Sequence, residues 1–565
     1  MTTSADPASA IVAALAGAGT RLLFGVPGGG PNLDVVGAAA AAGLRFVLAR
    51  GETAATIMAA TSADLTGAPG AVVVTRGPGL ASAVNGIAHA ALDRLPLVVI
   101  ADTVPAATPR ITHQRIDQDA LGRSVAKAAI TVGEPRSAAH AVRLALAAPY
   151  GPVVVNMDAS IPDGDTQEAP GTVAMPETVA VKAGAQRGAG AQRAAGAQRG
   201  AGAEAGVLAE AVSAARRPVV LLGTGAIPRT AAVRKVLAGS GIPALHTYRA
   251  RGVIPDSAAE AAGLVTGGTM EWPLLSAADL IVGLGVDEAE MIPAPWDYAA
   301  RTVLVTEDED RDHGYFTGAT TLRMPLDEAL DVLAGRPGHD WPSDAGSAAR
   351  QDAGRRLAEL AVAAPGRLAP QQVVRTVRAG TPAETIATVD AGAHMLVAMP
   401  LWEVPEPGRL LISSGLATMG YALPAAIAAA LCAPATPVIA FTGDGGLGMT
   451  LAELETAVRL ALPVIVVVFN DAALSLIEIK QQPAGQGGAE AVRYAPVSFA
   501  AAATALGAAG AAVSTEPELA RALTAALRRP GPTVIDAAVD PSGYPAVMDL
   551  TRGPAGRRAV PGLAG

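Results

Sequence analysis

Short apolar runs rich in Val and Ile recur along the whole chain, at residues 71–75, 97–101, 153–156, 219–222, 280–284, 303–306, 438–442, 464–469 and 533–537. Longer Ala-rich stretches of helical character separate them. Runs without polar alternation suit parallel strands covered by helices on both faces, because such strands meet no water on either side. The pattern predicts an α/β fold made of doubly wound parallel sheets. A chain of 565 residues is long enough for three or four domains at about 150 residues each.

Composition narrows the function classes. Half of the residues are hydrophobic, but much of that fraction is Ala, and aromatics are only 3 %. The mean hydropathy of +0.35 therefore reflects Ala and Val, and no window of about 19 residues runs free of Pro, Gly or charge, as a membrane span requires. Residues 1–20 carry Asp6 and no Lys or Arg, a poor secretion signal. The net charge of −9 is spread without acidic or basic blocks, which argues against nucleic acid as a partner. Cys432 is the only cysteine, so no intrachain disulfide and no multi-cysteine metal site can form. A cytoplasmic location is expected on that ground.

Two stretches read as linkers. Residues 183–187, 189–193 and 195–199 each spell Ala-Gly-Ala-Gln-Arg, a low-complexity spacer too short and polar for a solenoid repeat. Residues 335–350 are rich in Gly, Pro, Asp and Ser. The expected division is an N-terminal domain at 1–170, a linker at 171–205, a central domain at 206–335, a linker at 336–359, a C-terminal domain at 360–550 and a tail at 551–565.

The most informative segment is 437–479. The run 438–442 ends in Gly443-Asp444-Gly445-Gly446. Thr450 and Glu453 read as a capping box, with Leu451, Leu454, Val458 and Leu462 at helical spacing. Pro463 stops the helix, and 464–469 ends in Asn470-Asp471. One βαβ unit makes the two strands parallel and brings both loops to their carboxyl edge, where open α/β sheets bind ligands. Hard oxygen ligands from two loops suit Mg²⁺, which usually takes few protein ligands and fills its shell with phosphate oxygens. The glycines let backbone N–H groups approach such phosphates.

Gly443-Asp444-Gly445 followed by Asn470-Asp471 resembles the motif of thiamine-diphosphate enzymes, a Gly-Asp-Gly with a downstream Asn-Asn. The resemblance implies thiamine diphosphate and Mg²⁺ as cofactors. It places the metal ligands on Asp444, Asp471 and the Ala473 carbonyl, with Asn470 the alternative to Asp471, since Asp471 replaces an amide. Gly443, Gly445, Gly446, Leu474, Ser475 and Leu476 would line the diphosphate. Upstream, Asp390-Ala391-Gly392-Ala393-His394 resembles the family's diphosphate loop, so Gly392, Ala393 and His394 join the cofactor set.

Thiamine chemistry needs a carboxylic acid on the pyrimidine ring and an apolar wedge that bends the cofactor. Residues 49–55 resemble the family segment carrying that acid, which falls on Glu52. Residues 413–426 resemble a segment of acetolactate synthase large subunits, with Met419 as wedge and the Ala417 carbonyl as partner of the 4′-amino group. Pro27-Gly28-Gly29, Gly77-Pro78-Gly79 and Asn85 match loops of the same family's N-terminal domain. The fold then implied is three domains: pyrimidine-binding, central and diphosphate-binding. In this family the acid and the cofactor belong to different subunits, so a homodimer or homotetramer with interfacial active sites is expected.

The activity implied is a 2-oxo acid decarboxylase/carboligase, a transferase or lyase working through a C2 ylide and an acyl carbanion. The substrate side departs from acetolactate synthase. Gln114 is retained, but His113 and Arg115 flank it, and Lys480 stands where that enzyme has Trp. His113, Gln114 and Lys480 are expected to act with Glu52 in catalysis or selection, although Lys480 taken alone reads as a solvated surface residue. Alternatives are a decarboxylase or lyase without carboligation, and a flavin-containing oxidase with FAD on Gly223-Thr224-Gly225 and Gly283-Leu284-Gly285. The retained acid argues against a non-catalytic subunit. The first strand–helix turn lacks the Gly-x-Gly-x-x-Gly of a nicotinamide dehydrogenase.

Overall fold

The computed structural model describes residues 6–104, 108–109, 111–132, 135–157, 194–292, 294–307, 314–336, 338–481 and 488–553. Most of the first expected linker and of the tail lie outside the described residues. Three six-stranded sheets, all parallel, account for every named strand. The first runs in the order Arg45–Leu48, Leu22–Val26, Gly70–Val74, Leu97–Asp102, Pro152–Met157, Ala128–Val132. The central one runs Thr320–Arg323, Arg301–Thr306, Leu280–Leu284, Pro218–Leu222, Ala244–His246, Ala261–Leu264. The third runs Leu410–Ile412, Ile386–Val389, Val438–Gly443, Val464–Asn470, Thr533–Ala538, Ala509–Val513. This is the doubly wound α/β architecture that the apolar runs predict.

Each sheet has one topological switch point, where the chain leaves a strand toward one side and returns on the other. In the first sheet it lies between Leu22–Val26 and Gly70–Val74, in the central sheet between Pro218–Leu222 and Leu280–Leu284, and in the third between Ile386–Val389 and Val438–Gly443. Loops diverge there at the carboxyl edge, which opens a crevice.

The chain forms two compact units. One holds the first sheet together with Gly415–Ala435 and Thr450–Leu462; the other holds the central and third sheets. In the first unit the helix Glu52–Thr66, ended by Gly67 in the left-handed region at φ 71°, packs against the helices Pro78–Leu92 and Ala422–Cys432. Ala on these faces allows close approach, and Gly86 faces Thr56, where an added Cβ would come within 2.6 Å of the threonine Cβ.

Two local readings need correction. Residues 345–359 of the expected second linker form the helix Ala345–Glu359, and Gly346 lies so close to the Glu260 carbonyl that a Cβ would sit 2.3 Å from its oxygen. Thr450 and Glu453 form no capping box. The helix Asp444–Thr450 starts at once after its strand, a second helix spans Glu453–Arg459, and Glu453 bonds elsewhere.

In the second unit, Arg251 and Asp256 form a buried ion pair between the central and third layers. Arg251 donates to the carbonyls of Met399 at 2.6 Å and Trp402 at 2.9 Å, and Asp256 accepts from the Val404 N–H at 2.7 Å. Removing one member of such a pair strands the other charge at a cost of about 3–5 kcal/mol, whereas an apolar replacement of similar volume costs less. Arg251→Ala should lower the thermal unfolding midpoint of this unit by roughly 5–10 °C, and Arg251→Met should lower it less. Calorimetry of the cofactor-free protein checks both; equal losses would show that packing volume, not the stranded Asp256, sets the cost.

Candidate active site

The third switch point carries the residues with the clearest chemical purpose. Asp444 follows the strand Val438–Gly443 directly and is buried at 3 % exposure. One oxygen accepts the N–H groups of Ala472 at 2.6 Å and Asp471 at 3.2 Å; the other accepts the Gly445 N–H at 2.7 Å and the Tyr494 hydroxyl at 2.6 Å. One carboxylate thus ties the Gly443–Gly446 turn to the turn after Val464–Asn470. Ala472 takes a left-handed φ of 57° to complete that turn.

Asp471 points to the same place and accepts the Ser475 hydroxyl at 2.5 Å. Burial pushes its carboxyl up to about 7, the Ser475 hydrogen bond opposes this, and the Asp444 charge adds to the rise. Burial also raises Asp444. A buried carboxyl beside a half-buried one whose ionisation it disfavours forms a site that a divalent cation would stabilise. Asn470 turns away: its amide donates to the Val497 carbonyl at 2.9 Å and to Asp536 at 2.8 Å. Ala473 is buried and bridges to Arg493, while Leu474 donates its N–H to the Val492 carbonyl at 2.8 Å. Leu476 packs on the hydrophobic core of the third sheet. No cluster of three or more His, Cys, Asp or Glu suited to a metal occurs among the described residues. The carboxylate pair could serve as metal donors only with other oxygens, such as those of a phosphate, completing a Mg²⁺ shell.

His394 lies across the same crevice, after the strand Ile386–Val389. It is 3 % exposed, stacks on Phe469 with centroids 5.3 Å apart, and is pressed between Gly392 and Gly443. A Cβ on Gly392 would stand 2.7 Å from the ring, so a side chain there would displace it. Burial pushes the imidazole down to about 4, and its Nε2 has no hydrogen-bond partner. An orphaned buried nitrogen is costly unless a ligand meets it, and an anionic phosphate oxygen is such a ligand when that nitrogen carries a proton. Ala393 is buried behind it, and a Cβ on Gly446 would come within 2.1 Å of the Asp390 carboxylate. These residues fit the diphosphate of thiamine diphosphate with its Mg²⁺.

The first unit carries the residues expected on the pyrimidine side. Glu52 opens the helix Glu52–Thr66 and is half-buried, close to Gly79, where a Cβ would stand 3.5 Å from its carboxylate. The switch-point loops are braced by hydrogen bonds. Gly28 N–H donates to Asn32 at 2.9 Å, Asn32 donates to Asp102 at 2.9 Å, and Asp102 accepts the Arg76 N–H at 2.9 Å. Gly77 N–H donates to Gln118 at 3.0 Å. Gly77 has φ 65° and sits under the Gln114 carbonyl, 2.3 Å from where a Cβ would be. Pro27 is half-buried; Gly29 and His113 are exposed. Gln114 takes a left-handed φ of 60°. Asn85 accepts the Thr418 hydroxyl at 2.7 Å, which fixes the loop bearing Ala417 and Met419. Ala417 has φ 51°, a conformation that costs a non-glycine residue about 1–3 kcal/mol. Lys480 is exposed beside exposed Ile477 on the helix Ser475–Gln481.

The central switch point is filled from within. The Glu290 carboxylate accepts the Thr224 N–H at 3.1 Å, the Thr224 hydroxyl at 2.6 Å, the Asp287 N–H at 3.2 Å and the Thr247 hydroxyl. Gly223 and Gly225 serve close backbone packing on Gly285 and Val286: a Cβ on Gly223 would lie 2.3 Å from the Val286 Cα. The glycine pairs expected for FAD are thus used internally, and FAD has no support from them. Tyr494, Asp102, Gln118 and Glu453 were not legible from the sequence, because each acts on a partner distant in sequence; Glu290 carried a local signal, the Asp287–Glu290 capping box, that was not read.

The fold and the third switch point are those of an α/β enzyme that takes a phosphorylated cofactor. Family models describe three parts of the chain: the N-terminal TPP binding domain of thiamine pyrophosphate enzymes at residues 6–121, their central domain at 206–324, and their C-terminal TPP binding domain at 390–537. The acetolactate synthase of Bacillus subtilis (strain 168) is 30 % identical over 94 % of this chain and 93 % of its own length. The catabolic acetolactate synthase of Raoultella terrigena is 30 % identical over 96 % of this chain and 97 % of its own. The 2-hydroxyacyl-CoA lyase of Oryza sativa subsp. japonica is also 30 % identical, over 94 % of both chains. The chain belongs to the thiamine pyrophosphate (thiamine diphosphate) enzyme family and resembles its acetolactate synthases. No helix among the described residues is long and apolar enough to cross a membrane.

The raised Asp471 carboxyl has a pH consequence. Burial pushes it up to about 7, and to serve as a Mg²⁺ ligand it would have to lose its proton. A folded value above the ordinary 3.8 also means that this group's contribution to stability is present at low pH and lost as pH rises toward 7. The thermal stabilisation given by Mg²⁺ and thiamine diphosphate should therefore grow from pH 6 to pH 8. Asp471→Asn, which restores the family's amide, should still bind the cofactor and should flatten that growth. An equally steep pH dependence in Asp471→Asn would contradict the role given to Asp471.

Proposed function

We propose that this chain is a thiamine-diphosphate- and Mg²⁺-dependent enzyme that decarboxylates a 2-oxo acid, or cleaves the bond next to a 2-hydroxy carbonyl, and transfers the acyl unit to an acceptor. The observation that carries the reading is the third switch point: the buried Asp444 and the half-buried Asp471 lie on adjacent loops, and the buried His394, whose Nε2 has no partner, follows the neighbouring strand. Asp444, Asp471 and the Ala473 carbonyl would hold Mg²⁺, and His394 would meet a phosphate oxygen. Thiamine diphosphate supplies the electron sink for breaking and making carbon–carbon bonds beside a carbonyl.

The other residues bind, orient and move protons. Glu52 holds a proton for the pyrimidine ring, and Met419 and the Ala417 carbonyl set the ring's position. Gln114 donates a hydrogen bond to the substrate oxygen, with His113 as proton carrier. The three sheets then form the pyrimidine-binding, central and diphosphate-binding domains within 1–170, 206–335 and 360–550. The Glu52 side of one copy would complete the cofactor side of another, giving a homodimer or homotetramer in the cytoplasm. The Glu290 carboxylate in the central crevice favours a flavin-free enzyme over an oxidase.

Lys480 distinguishes a carboligase for small apolar 2-oxo acids from an enzyme for a second, more polar substrate. Its ammonium stands where acetolactate synthase has an aromatic ring, so a substrate or acceptor with an additional anionic or strongly polar group would gain a contact. The test is incubation with thiamine diphosphate, Mg²⁺ and a panel of 2-oxo acids, following CO₂ and ligation products. Lys480→Trp should lower kcat/KM for the preferred polar substrate by roughly 10–100-fold and raise it for pyruvate or 2-oxobutyrate. An unchanged ranking would place Lys480 outside the pocket. A panel without CO₂ release, bond cleavage or ligation would remove the reading as a whole.

A further inference from the structure

The helix that Glu52 opens has no cap of its own. Its N-cap is Gly51, in extended conformation at φ −153° and ψ 149°, with no side chain to accept a hydrogen bond. Glycine leaves that turn sterically free to adopt other conformations. The two peptide N–H groups just ahead of Glu52 nevertheless share one acceptor. Arg50 N–H and Gly51 N–H donate to the same Glu453 oxygen at 2.9 and 3.0 Å. The other Glu453 oxygen accepts the Thr456 hydroxyl at 2.8 Å, and the residue is only 2 % exposed.

Neighbours on the helix Glu453–Arg459 extend the grip. The Arg50 guanidinium donates to Glu455 at 2.8 Å, Arg459 donates to the Leu48 carbonyl at 2.5 Å, and Arg459 also donates to Glu455 at 3.2 Å. One seven-residue helix thus holds Leu48, Arg50 and Gly51 through three side chains. Arg50 is itself exposed and Gly51 half-buried, so water could satisfy these N–H groups. A buried carboxyl is a costly way to do so, and burial raises it above the ordinary range. What it adds over water is a fixed direction for the peptide that leads into Glu52.

We infer that Glu453 is a positioning residue for Glu52: it clamps the peptides of Arg50 and Gly51 and so sets where the Glu52 carboxyl stands. The inference rests on the proton-holding role proposed for Glu52. Clamping by a neutral acceptor should serve almost as well as clamping by a charge. A glutamine at 453 can turn its carbonyl to both N–H groups and its NH₂ to the Thr456 hydroxyl, which accepts. Alanine leaves both N–H groups without that partner.

The test uses the full chain with two readouts. The first is amide hydrogen exchange of Arg50 and Gly51 in the cofactor-free protein. The second is the rate of C2 hydrogen–deuterium exchange of thiamine diphosphate at saturating cofactor and Mg²⁺. Glu453→Ala should expose the two amides at least about tenfold and slow C2 exchange by roughly 10–100-fold, the order expected when a catalytic group is displaced by about 1 Å. Glu453→Gln should recover most of both losses. In the Glu52→Gln background, Glu453→Ala should slow C2 exchange no further, because a residue that acts only through Glu52 has nothing left to position. Should Glu453→Ala not fold, Glu453→Asp, with its carboxylate withdrawn by one methylene, takes its place with the same expectations.

Unchanged C2 exchange in Glu453→Ala, beside slow exchange in Glu52→Gln, would overturn this inference alone. So would a further loss in the double variant, or a glutamine variant as slow as the alanine one. Exchange in Glu52→Gln as fast as in the unaltered protein would overturn the proposed role of Glu52, and the positioning role with it.

Discussion

The Asp444 carboxylate, buried where two parallel strands send their chains in opposite directions, is the interaction on which the rest of the site depends. Its oxygens accept N–H groups from its own turn and from the turn after the neighbouring strand, at 2.7 and 2.6 Å. That places Asp471 beside it and leaves a cluster of negative character inside an apolar sheet edge. Such a cluster is costly in isolation and favourable around a divalent cation. The partnerless Nε2 of His394 adds a second unmet demand in the same crevice, of the opposite chemical kind. A magnesium-bound diphosphate would answer both.

The three sheets share one winding, yet their switch points differ in what fills them. In the central sheet Glu290 occupies the crevice and satisfies Thr224, Thr247 and Asp287. In the first, the Gly28 and Gly77 loops are braced through Asn32, Asp102 and Gln118. In the third, the demand stays open. The same topology thus yields a closed structural layer, a braced loop platform and an edge lined by carboxylates and an imidazole, and the difference lies in a few side chains at each carboxyl edge. The Glu453 clamp has the same character: a carboxylate far along the chain decides the conformation of a turn that glycine alone would leave loose.

Much of this was legible in the sequence, for physical reasons that also mark the limits. Central strands such as Val464–Asn470 and Leu97–Asp102 are buried on both faces, so they must be continuously apolar and announce themselves. Ala128–Val132 and Ala509–Val513 are edge strands only partly buried, and their alanines and glycine read as helix or loop. Leu410–Ile412 and Ala244–His246 are three residues long, below the length at which a run is distinct. The strand–loop–helix–strand order around Asp444 placed Asp471 by topology, because parallel strands put their loops on one edge. Tyr494 and Glu453 were invisible because a hydrogen bond to a partner tens or hundreds of residues away leaves no local pattern. The Thr450–Glu453 spacing was misleading for the same reason: it fits a capping box, but the carboxylate finds better donors at Arg50 and Gly51.

The most direct measurement is a calorimetric titration of the cofactor-free protein with thiamine diphosphate, with and without Mg²⁺, in the unaltered chain and in Asp444→Ala. If the third switch point holds the magnesium diphosphate, the unaltered protein should bind thiamine diphosphate tightly only with Mg²⁺. Asp444→Ala should then lose at least about 100-fold in affinity, the upper order for removing a group that governs metal binding. Affinity unchanged by Asp444→Ala, or independent of Mg²⁺, would contradict the assignment of the site.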